Sequence, residues 1–296
     1  MENLLRKRLL VLHYYSKGNS RLIEKLLSYD PNLTAWFEEP VDKLASFFPG
    51  NYQSIYQLLQ KVRKQTAEEV IKIIKKSGGS ILTKVDENYP LQLKHLHTPP
   101  SVIYMKGNIS LLKENNLLGV VGARVPTSKI NTELEELIAP LVSKNIVIVS
   151  GMAAGVDAAA HKTAIAAGGK TIAVLAFGTD QLYPSSNRLL KQELEEKQLL
   201  ISEYPPYVKP QKWHFPERNR LISGLSKGVL VVEAKKRSGS LITAETALEQ
   251  GKDVYAVPGR ISDPLSEGTN RLIQDGAKLI LSAEDLLEEF REVSNF

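Results

Sequence analysis

Residues 117–124 read Leu-Leu-Gly-Val-Val-Gly-Ala-Arg, a short apolar run that ends in small residues and an arginine. From here on, apolar runs alternate with segments of helical periodicity. The apolar runs lie at 117–121, 146–150, 171–177, 199–203, 229–233, 254–257 and 279–281, and the helical segments at 130–143, 156–167, 186–197, 241–250 and 269–275. Apolar strands separated by helices predict a parallel sheet covered on both faces. We therefore predict an α/β fold with an extended Rossmann-like, doubly wound, mostly parallel sheet.

The first 76 residues follow a different pattern. Apolar residues recur at helical spacing, as at Leu5, Leu9 and Leu12, and prolines divide the region into short helices. Gly78 marks a boundary, and the segment 80–105 is irregular or short-stranded. We predict a small all-helical domain at 1–76 and the Rossmann-like domain at 77–296. The apolar stripes of the first domain are explained by its core, although its basic residues leave a role in DNA binding open.

Composition excludes several classes of protein. The 296 residues are 43% hydrophobic and 24% charged with a net charge of +5, which is ordinary for a globular protein and compatible with an anionic partner. The absence of cysteine excludes disulfides, thiolate catalysis and cysteine-based zinc sites. We find no signal peptide and no apolar run of membrane-spanning length, so we expect a cytoplasmic protein.

The segment from Trp213 to Ser240 indicates an anion-binding surface. Arg218 and Arg220 flank an asparagine, and Ser238-Gly239-Ser240 precedes a helix predicted to begin at Leu241. Free amides at a helix start and guanidinium groups beside them suit phosphate. Two features stay open. Lys235-Lys236-Arg237 is either part of this surface or a solvated turn. The rings of Trp213, Phe215 and Tyr183 each fit a core, but Trp213 and Phe215 lie in a polar segment with a proline, where stacking on bases is the alternative.

Enzymatic alternatives fit the chain poorly. The first strand lacks the Gly-x-Gly-x-x-Gly signature of dinucleotide-binding folds, and Gly169-Lys170-Thr171 precedes a strand, whereas a P-loop opens a helix. Asp157 and His161 share one helical face, but no third metal ligand is spaced near them, which favours a structural role. We therefore expect no catalytic residues, no cofactor and no metal.

The loops taken together resemble one family. The chain contains, in order, Val-Gly-Ala-Arg, Ser-Gly-Met-Ala-Ala-Gly-Val-Asp-Ala-Ala-Ala-His, Gly-Thr-Asp-Gln-Leu-Tyr-Pro-Ser-Ser-Asn, Phe-Pro-Glu-Arg-Asn-Arg, Glu-Ala-Lys-Lys-Arg-Ser-Gly-Ser-Leu-Ile-Thr-Ala and Ala-Val-Pro-Gly. Over about residues 80 to 282 this resembles the DNA processing protein A (DprA, or Smf) family of bacteria, and the helical segment looks like that family's sterile-alpha-motif-like domain. The resemblance implies a single-stranded DNA-binding homodimer of natural transformation that protects incoming strands and loads the RecA recombinase, with single-strand-binding protein as a further candidate partner.

The resemblance also implies a strand-binding pocket. It maps onto Arg124, Gly151, Arg188 and the segment from Arg218 to Arg220. With the residues of the anion-binding surface, the candidate DNA-binding residues are Arg124, Gly151, Arg188, Lys191, Phe215, Arg218, Asn219, Arg220, Gly239 and Ser240. Many family members carry a lysine where Arg188 stands, and many carry a C-terminal winged-helix-like domain. We expect none here, because the chain stops after an acidic helix predicted at 284–292.

Two further interpretations stay open. Leu272 and Ile273 are adjacent on a predicted helix and cannot both face the same core contact, so they form a candidate dimer interface unless both are partly buried in the monomer. The alternative function is a nucleotide-processing enzyme of the phosphoribohydrolase type on the same fold. Glu245 would then be its catalytic carboxylate, although the Pro-Gly-Gly element of those enzymes is replaced here. A dimeric scaffold without DNA binding is a weaker alternative.

Overall fold

The computed structural model describes residues 2–291, and they divide into two compact units. The first contains the chain up to Lys106 together with Phe177–Gln181 and Ser202–Lys209, and the second contains the remainder. This division groups residues 79–106 with the helices, whereas the sequence predicts a domain boundary after residue 76. The boundary and the sterile-alpha-motif-like character of the first domain stay predictions.

The first unit is mainly helical. Its helices are α1 (Glu2–Tyr15), α2 (Ser20–Tyr29), α3 (Thr34–Glu38), α4 (Val41–Ser46), α5 (Tyr52–Val62), α6 (Ala67–Lys76) and α7 (Leu91–Lys94), with a 3-10 turn at Pro49–Asn51. A capping box between Thr66 and Glu69 starts α6, because each side chain satisfies the other's backbone N–H. Two antiparallel strands follow, β1 (Gly79–Thr83) and β2 (Val102–Gly107), as the short-stranded segment predicts. Leu9, Trp36 and Leu59 lie in the buried core.

The second unit contains the predicted Rossmann-like sheet. Its strands are β3 (Leu117–Val121), β4 (Val147–Ser150), β5 (Thr171–Leu175), β6 (Leu199–Ser202), β7 (Gly228–Val231), β8 (Asp253–Ala256) and β9 (Lys278–Leu279). Their order is β6-β5-β4-β3-β7-β8-β9, and the pairs from β5 to β9 are parallel. After β3, the chain adds β4, β5 and β6 in turn on one side of that strand. It then returns and adds β7, β8 and β9 on the other side. This reversal creates a switch point between β3 and β7, where open α/β sheets bind ligands.

Helices cover both faces of this sheet. They are α8 (Ile130–Ser143), α9 (Val156–Ala166), α10 (Arg188–Lys197), α11 (His214–Leu225), α12 (Gly239–Glu249), α13 (Glu267–Gln274) and α14 (Ala283–Glu289), with 3-10 turns at Ile109–Lys113 and Ser185–Asn187. Leu118 and Val120 share a buried cluster with residues of α8 and α9. A Cβ on Gly119, which faces the other side of the strand, would lie 3.4 Å from Ile222 of α11. The predicted doubly wound fold is confirmed.

Two helices near the end of the chain bear on earlier predictions. The predicted terminal helix is observed as α14, and Glu292 lies outside the described residues. Leu272 and Ile273 lie on α13 and are both partly buried. Among residues 2–291, every helix is too short or too polar to span a membrane.

Candidate nucleic-acid interface

An open cavity of ≈ 680 Å³ lies at the switch point of the sheet. Its walls are the loop that follows β3, the loop that follows β7 and the beginning of α11. The residues that form it include Gly122, Ala123, Arg124 and Val125 on one side and Lys235, Arg237, Ser238, Gly239 and Ser240 on the other. The cavity lies at the edge of the sheet where the sequence predicts the candidate site, because small residues and cations follow both strands.

Glycines hold the loop that presents Arg124. Gly155 has φ +81°, and a Cβ there would lie 2.2 Å from the carbonyl oxygen of Ala123. That carbonyl accepts a hydrogen bond from the amide of Val156 at 3.0 Å, so the start of α9 fixes the loop. The side chain of Arg124 is exposed, with its guanidinium 5.3 Å from the centroid of the Phe215 ring. An arginine with this freedom can reach a phosphate or lie over a base.

Phe215 belongs to a small aromatic group on the cavity wall. Its ring meets that of Tyr183 edge to face, with 5.7 Å between centroids. Tyr183 is 44% exposed, and Phe215 is partly buried. Phe215 therefore contributes both to packing and to the cavity surface, and a role in stacking on bases stays a prediction.

The first turn of α12 forms part of the cavity wall. The hydroxyl of Ser238 accepts a hydrogen bond from the amide of Ser240 at 3.3 Å and so caps the helix. A Cβ on Gly239 would have no heavy atom within 4 Å, so this turn faces open space. The side-chain amide of Asn219 donates to the carbonyl of Gly239 at 3.3 Å. That amide clamp fixes the turn against α11.

Arg218 is directed inward, although it borders the cavity. Only 6% of the residue is exposed, and its guanidinium donates to the carbonyl of Val174 and, at 3.1 Å, to the Asn219 side chain. A Cβ on Gly151 would lie 2.2–2.5 Å from three atoms of this guanidinium. Gly151 is therefore required for the placement of Arg218. Sequence reasoning missed the helix α11, whose turn separates Arg218 from Arg220.

The cavity is strongly cationic. The described residues that form it include five basic side chains and a single carboxylate, Asp157. The carboxylate is buried and accepts a hydrogen bond from the amide of Ala153 at 3.2 Å. Burial raises the pKa of Asp157, whereas the positive charge of Arg218 opposes that rise. The arrangement is suited to an anionic ligand with several charges.

His161 is buried on α9, beside β5. Its Nδ1 lies 2.6 Å from the hydroxyl of Thr171, and burial, assisted by the charge of Arg218, lowers its pKa to about 3. The imidazole is therefore neutral near pH 7 and contacts Thr171 within the protein, and a structural role for the Asp157–His161 pair stays a prediction. Within the described part of the chain, no group of three His, Asp or Glu side chains is arranged to hold a metal ion.

Several predicted residues lie outside the cavity lining. Arg188 is exposed at the first position of α10, and Lys191, on the next turn, is mostly buried and ion-paired with Glu195. Asn187, which sequence reasoning did not select, donates to the carbonyls of Met152 at 3.0 Å and Ala153 at 3.3 Å. This second amide clamp ties the loop before α10 to the loop after β4. Arg220 is partly buried on α11, and Glu245 is exposed on α12.

Three cations of the cavity were absent from the predicted site. Lys212, Lys235 and Arg237 all contribute to its walls. The sequence contained a signal for Lys235 and Arg237, because alternate residues of a turn lie on the same side of it. The interpretation of this segment as a solvated turn was equally open. Lys212 lies in the turn before α11, which begins at His214, and no pattern in the sequence marked it as part of the cavity.

The chain matches one family model. Residues 80–291 match the model described as DNA recombination-mediator protein A. A Bacillus subtilis (strain 168) protein named DNA processing protein DprA is 46% identical over 223 residues, which cover 75% of this chain and 75% of that protein. A protein of the same name from Streptococcus pneumoniae (strain ATCC BAA-255 / R6) is 48% identical over 206 residues, covering 70% of this chain and 72% of its own.

Two solved structures are similar to the whole chain or to most of it. The X-ray structure of DNA processing protein A from Streptococcus pneumoniae aligns with a TM-score of 0.79 at 38% identity, covering 94% of this chain and 96% of that one. DNA processing protein A from Helicobacter pylori, from a study of its unique single-stranded DNA binding mode, aligns with a TM-score of 0.66 at 32% identity. That alignment covers 72% of this chain and 95% of the Helicobacter chain.

Proposed function

Because this chain belongs to the family of DNA recombination-mediator protein A, we propose that it binds single-stranded DNA in the cavity beside Arg124. One observation carries the proposal: the cavity at the switch point is formed by five cationic side chains and a single carboxylate, which is buried. A polyanion matches this charge better than a small neutral metabolite does. The relative from Helicobacter pylori, whose single-stranded DNA binding mode is named, supports the choice of ligand.

Binding is proposed to have little sequence preference. Arg124 and Phe215 offer a charge and a ring face, which every nucleotide accommodates. Asn219, a candidate for reading base edges, uses its amide group on the carbonyl of Gly239. Contacts to the backbone position a strand without selecting its bases.

We assign different roles to the candidate residues. Arg124, Phe215, Gly239 and Ser240 face the cavity or form its wall and are proposed to touch the strand. Arg218, Asn219 and Gly151 shape the site from behind, since the Arg218 guanidinium and the Asn219 amide are engaged within the protein. Arg188, Lys191 and Arg220 lie outside the cavity lining and are proposed to contact DNA that extends beyond it.

The biological role is proposed from the family. We propose that the protein shields incoming strands during natural transformation, loads RecA onto them in the presence of single-strand-binding protein, and acts as a cytoplasmic homodimer without catalytic activity. Leu272 and Ile273 on α13 are the candidate dimer contacts, and their partial exposure leaves apolar surface for a second copy. Two cavities on one strand would gain avidity.

DNA binding is tested by fluorescence anisotropy with a labelled single strand and with its duplex. We expect tighter binding to the single strand and a logarithmic salt slope of about 0.7 per neutralised phosphate. Replacement of Arg124 with alanine should cost about 1–3 kcal/mol of binding free energy, since it removes a charged contact. The control is Lys144→Ala, which removes an equal charge at the exposed end of α8, before β4. Preference for the duplex, or equal losses in both variants, would contradict the proposal.

The dimer and RecA roles need separate measurements. Light scattering with and without DNA should give the mass of a dimer, and an Ile273→Asp substitution should reduce it to that of a monomer. RecA filament assembly on strands coated with single-strand-binding protein should accelerate with the wild type. A strict monomer that leaves filament assembly unchanged would restrict the function to passive DNA binding.

A further inference from the structure

Glu233 lies behind the loop that presents Arg124. It is the second residue after β7, and only 7% of it is exposed. Both carboxylate oxygens accept a hydrogen bond from the backbone amide of Thr127, at 3.0 and 3.3 Å. One of them also accepts from the Thr127 hydroxyl at 2.6 Å. A buried carboxylate thus binds one threonine through three hydrogen bonds.

Those hydrogen bonds fix the far end of the Arg124 loop. The loop leaves β3 at Gly122 and enters α8 at Ile130, and Arg124 and Val125 project from it into solvent. Its near end is fixed by the Ala123 carbonyl, which accepts from the amide of Val156. Without the contact to Glu233, the unanchored span that carries Arg124 would extend to Ile130, the buried first residue of α8. Ordering such a span during binding costs conformational entropy.

The sign of the charge makes Glu233 unexpected in this place. A carboxylate close to a site for polyanions repels the ligand, and its negative charge also contributes to the raised pKa of the neighbouring Glu133, whose main cause is burial. A neutral residue would be electrostatically better for binding. The repulsion is offset because the loop is already ordered before a ligand binds, which lowers the entropic cost of binding.

We propose that Glu233 is a positioning residue that, through Thr127, holds Arg124 in its DNA-binding position. Loop order and through-space charge predict opposite results for Glu233→Gln, which keeps the size but removes the charge and places an NH₂ group against the Thr127 donors. If charge dominates, the variant binds DNA more tightly. If positioning dominates, it binds more weakly despite the lost repulsion.

The experiment rests on the proposed DNA binding and measures anisotropy with a single strand for matched variants. We expect Glu233→Gln and the uncharged change Thr127→Val to weaken binding about fivefold to tenfold. Thr127→Ser keeps the hydroxyl and should stay within about twofold of wild type, which separates the hydrogen bond from the volume of the side chain. In an Arg124→Ala background, Glu233→Gln should change affinity less than about twofold, because the two residues act through one loop.

Amide hydrogen exchange of the free protein supplies a readout that needs no DNA. Exchange should accelerate in residues 123–129 of Glu233→Gln and Thr127→Val, with the strands of the sheet still protected. Unchanged exchange in the loop, or tighter DNA binding by Glu233→Gln, would overturn the inference. If the wild type does not bind single strands but the variants still show faster exchange in the loop, the proposed function is refuted and the positioning role of Glu233 stands. If Glu233→Gln does not fold, the Thr127 pair decides both readouts.

Discussion

Replacing Gly151 with alanine would place a methyl carbon against the guanidinium of Arg218. The added carbon would lie 2.2 Å from one terminal nitrogen, 2.4 Å from the other and 2.5 Å from Cζ. Real Cβ atoms do not make contacts this short, so the guanidinium must move. Because it is 6% exposed and held by the carbonyl of Val174 and the side chain of Asn219, movement breaks at least one charged hydrogen bond.

A buried charged hydrogen bond is worth about 1.5–3 kcal/mol, so we expect the free energy of unfolding to fall by about 2 kcal/mol. With an m-value of about 2 kcal/mol/M, the urea midpoint followed by circular dichroism should decrease by about 1 M. The matched control is Gly239→Ala, on the wall of the same cavity, where an added Cβ meets open space. Its urea midpoint should shift by less than about 0.25 M, which corresponds to a change of less than about 0.5 kcal/mol in the free energy of unfolding. Equal midpoints for Gly151→Ala and wild type would refute this account of Arg218.

Three further outcomes are expected. Trp213 is 62% exposed beside the cavity and Trp36 is buried, so a single strand that stacks on Trp213 should quench only the red-shifted part of the tryptophan fluorescence. Trp213→Leu should abolish the quenching, and undiminished quenching in that variant would exclude stacking on Trp213. Burial lowers the pKa of His13 and of His161 to about 3, so the unfolded state takes up more protons than the folded state as pH falls from about 6.5 toward 3. The free energy of unfolding should therefore decline through this window by up to about 1.4 kcal/mol per pH unit for each histidine. His161→Gln should make the urea midpoint less dependent on pH. Incubation with nucleoside monophosphates should release no base; release that disappears in Glu245→Gln would revive the phosphoribohydrolase interpretation.

The sheet was predictable because its central strands are buried and mostly apolar, which leaves little ambiguity about their position. The position of the cavity was predictable, since small residues and cations follow β3 and β7. Its internal contacts were not. Pro216 and the polar residues around it hid the start of α11, and without the helix the orientation of Arg218 could not be derived. The anchoring of Thr127 by Glu233 joins positions 106 residues apart, and no local pattern indicates such a pairing.

The two amide clamps also have a kinetic consequence. Asn187 and Asn219 donate to backbone carbonyls of neighbouring loops, so a single strand that binds as proposed would meet a surface that is already assembled. Association should then be limited by electrostatic encounter, with a bimolecular rate constant that falls steeply as ionic strength rises. Single-phase stopped-flow traces would accompany such a mechanism, whereas a slow second phase independent of DNA concentration would reveal a rearrangement after contact.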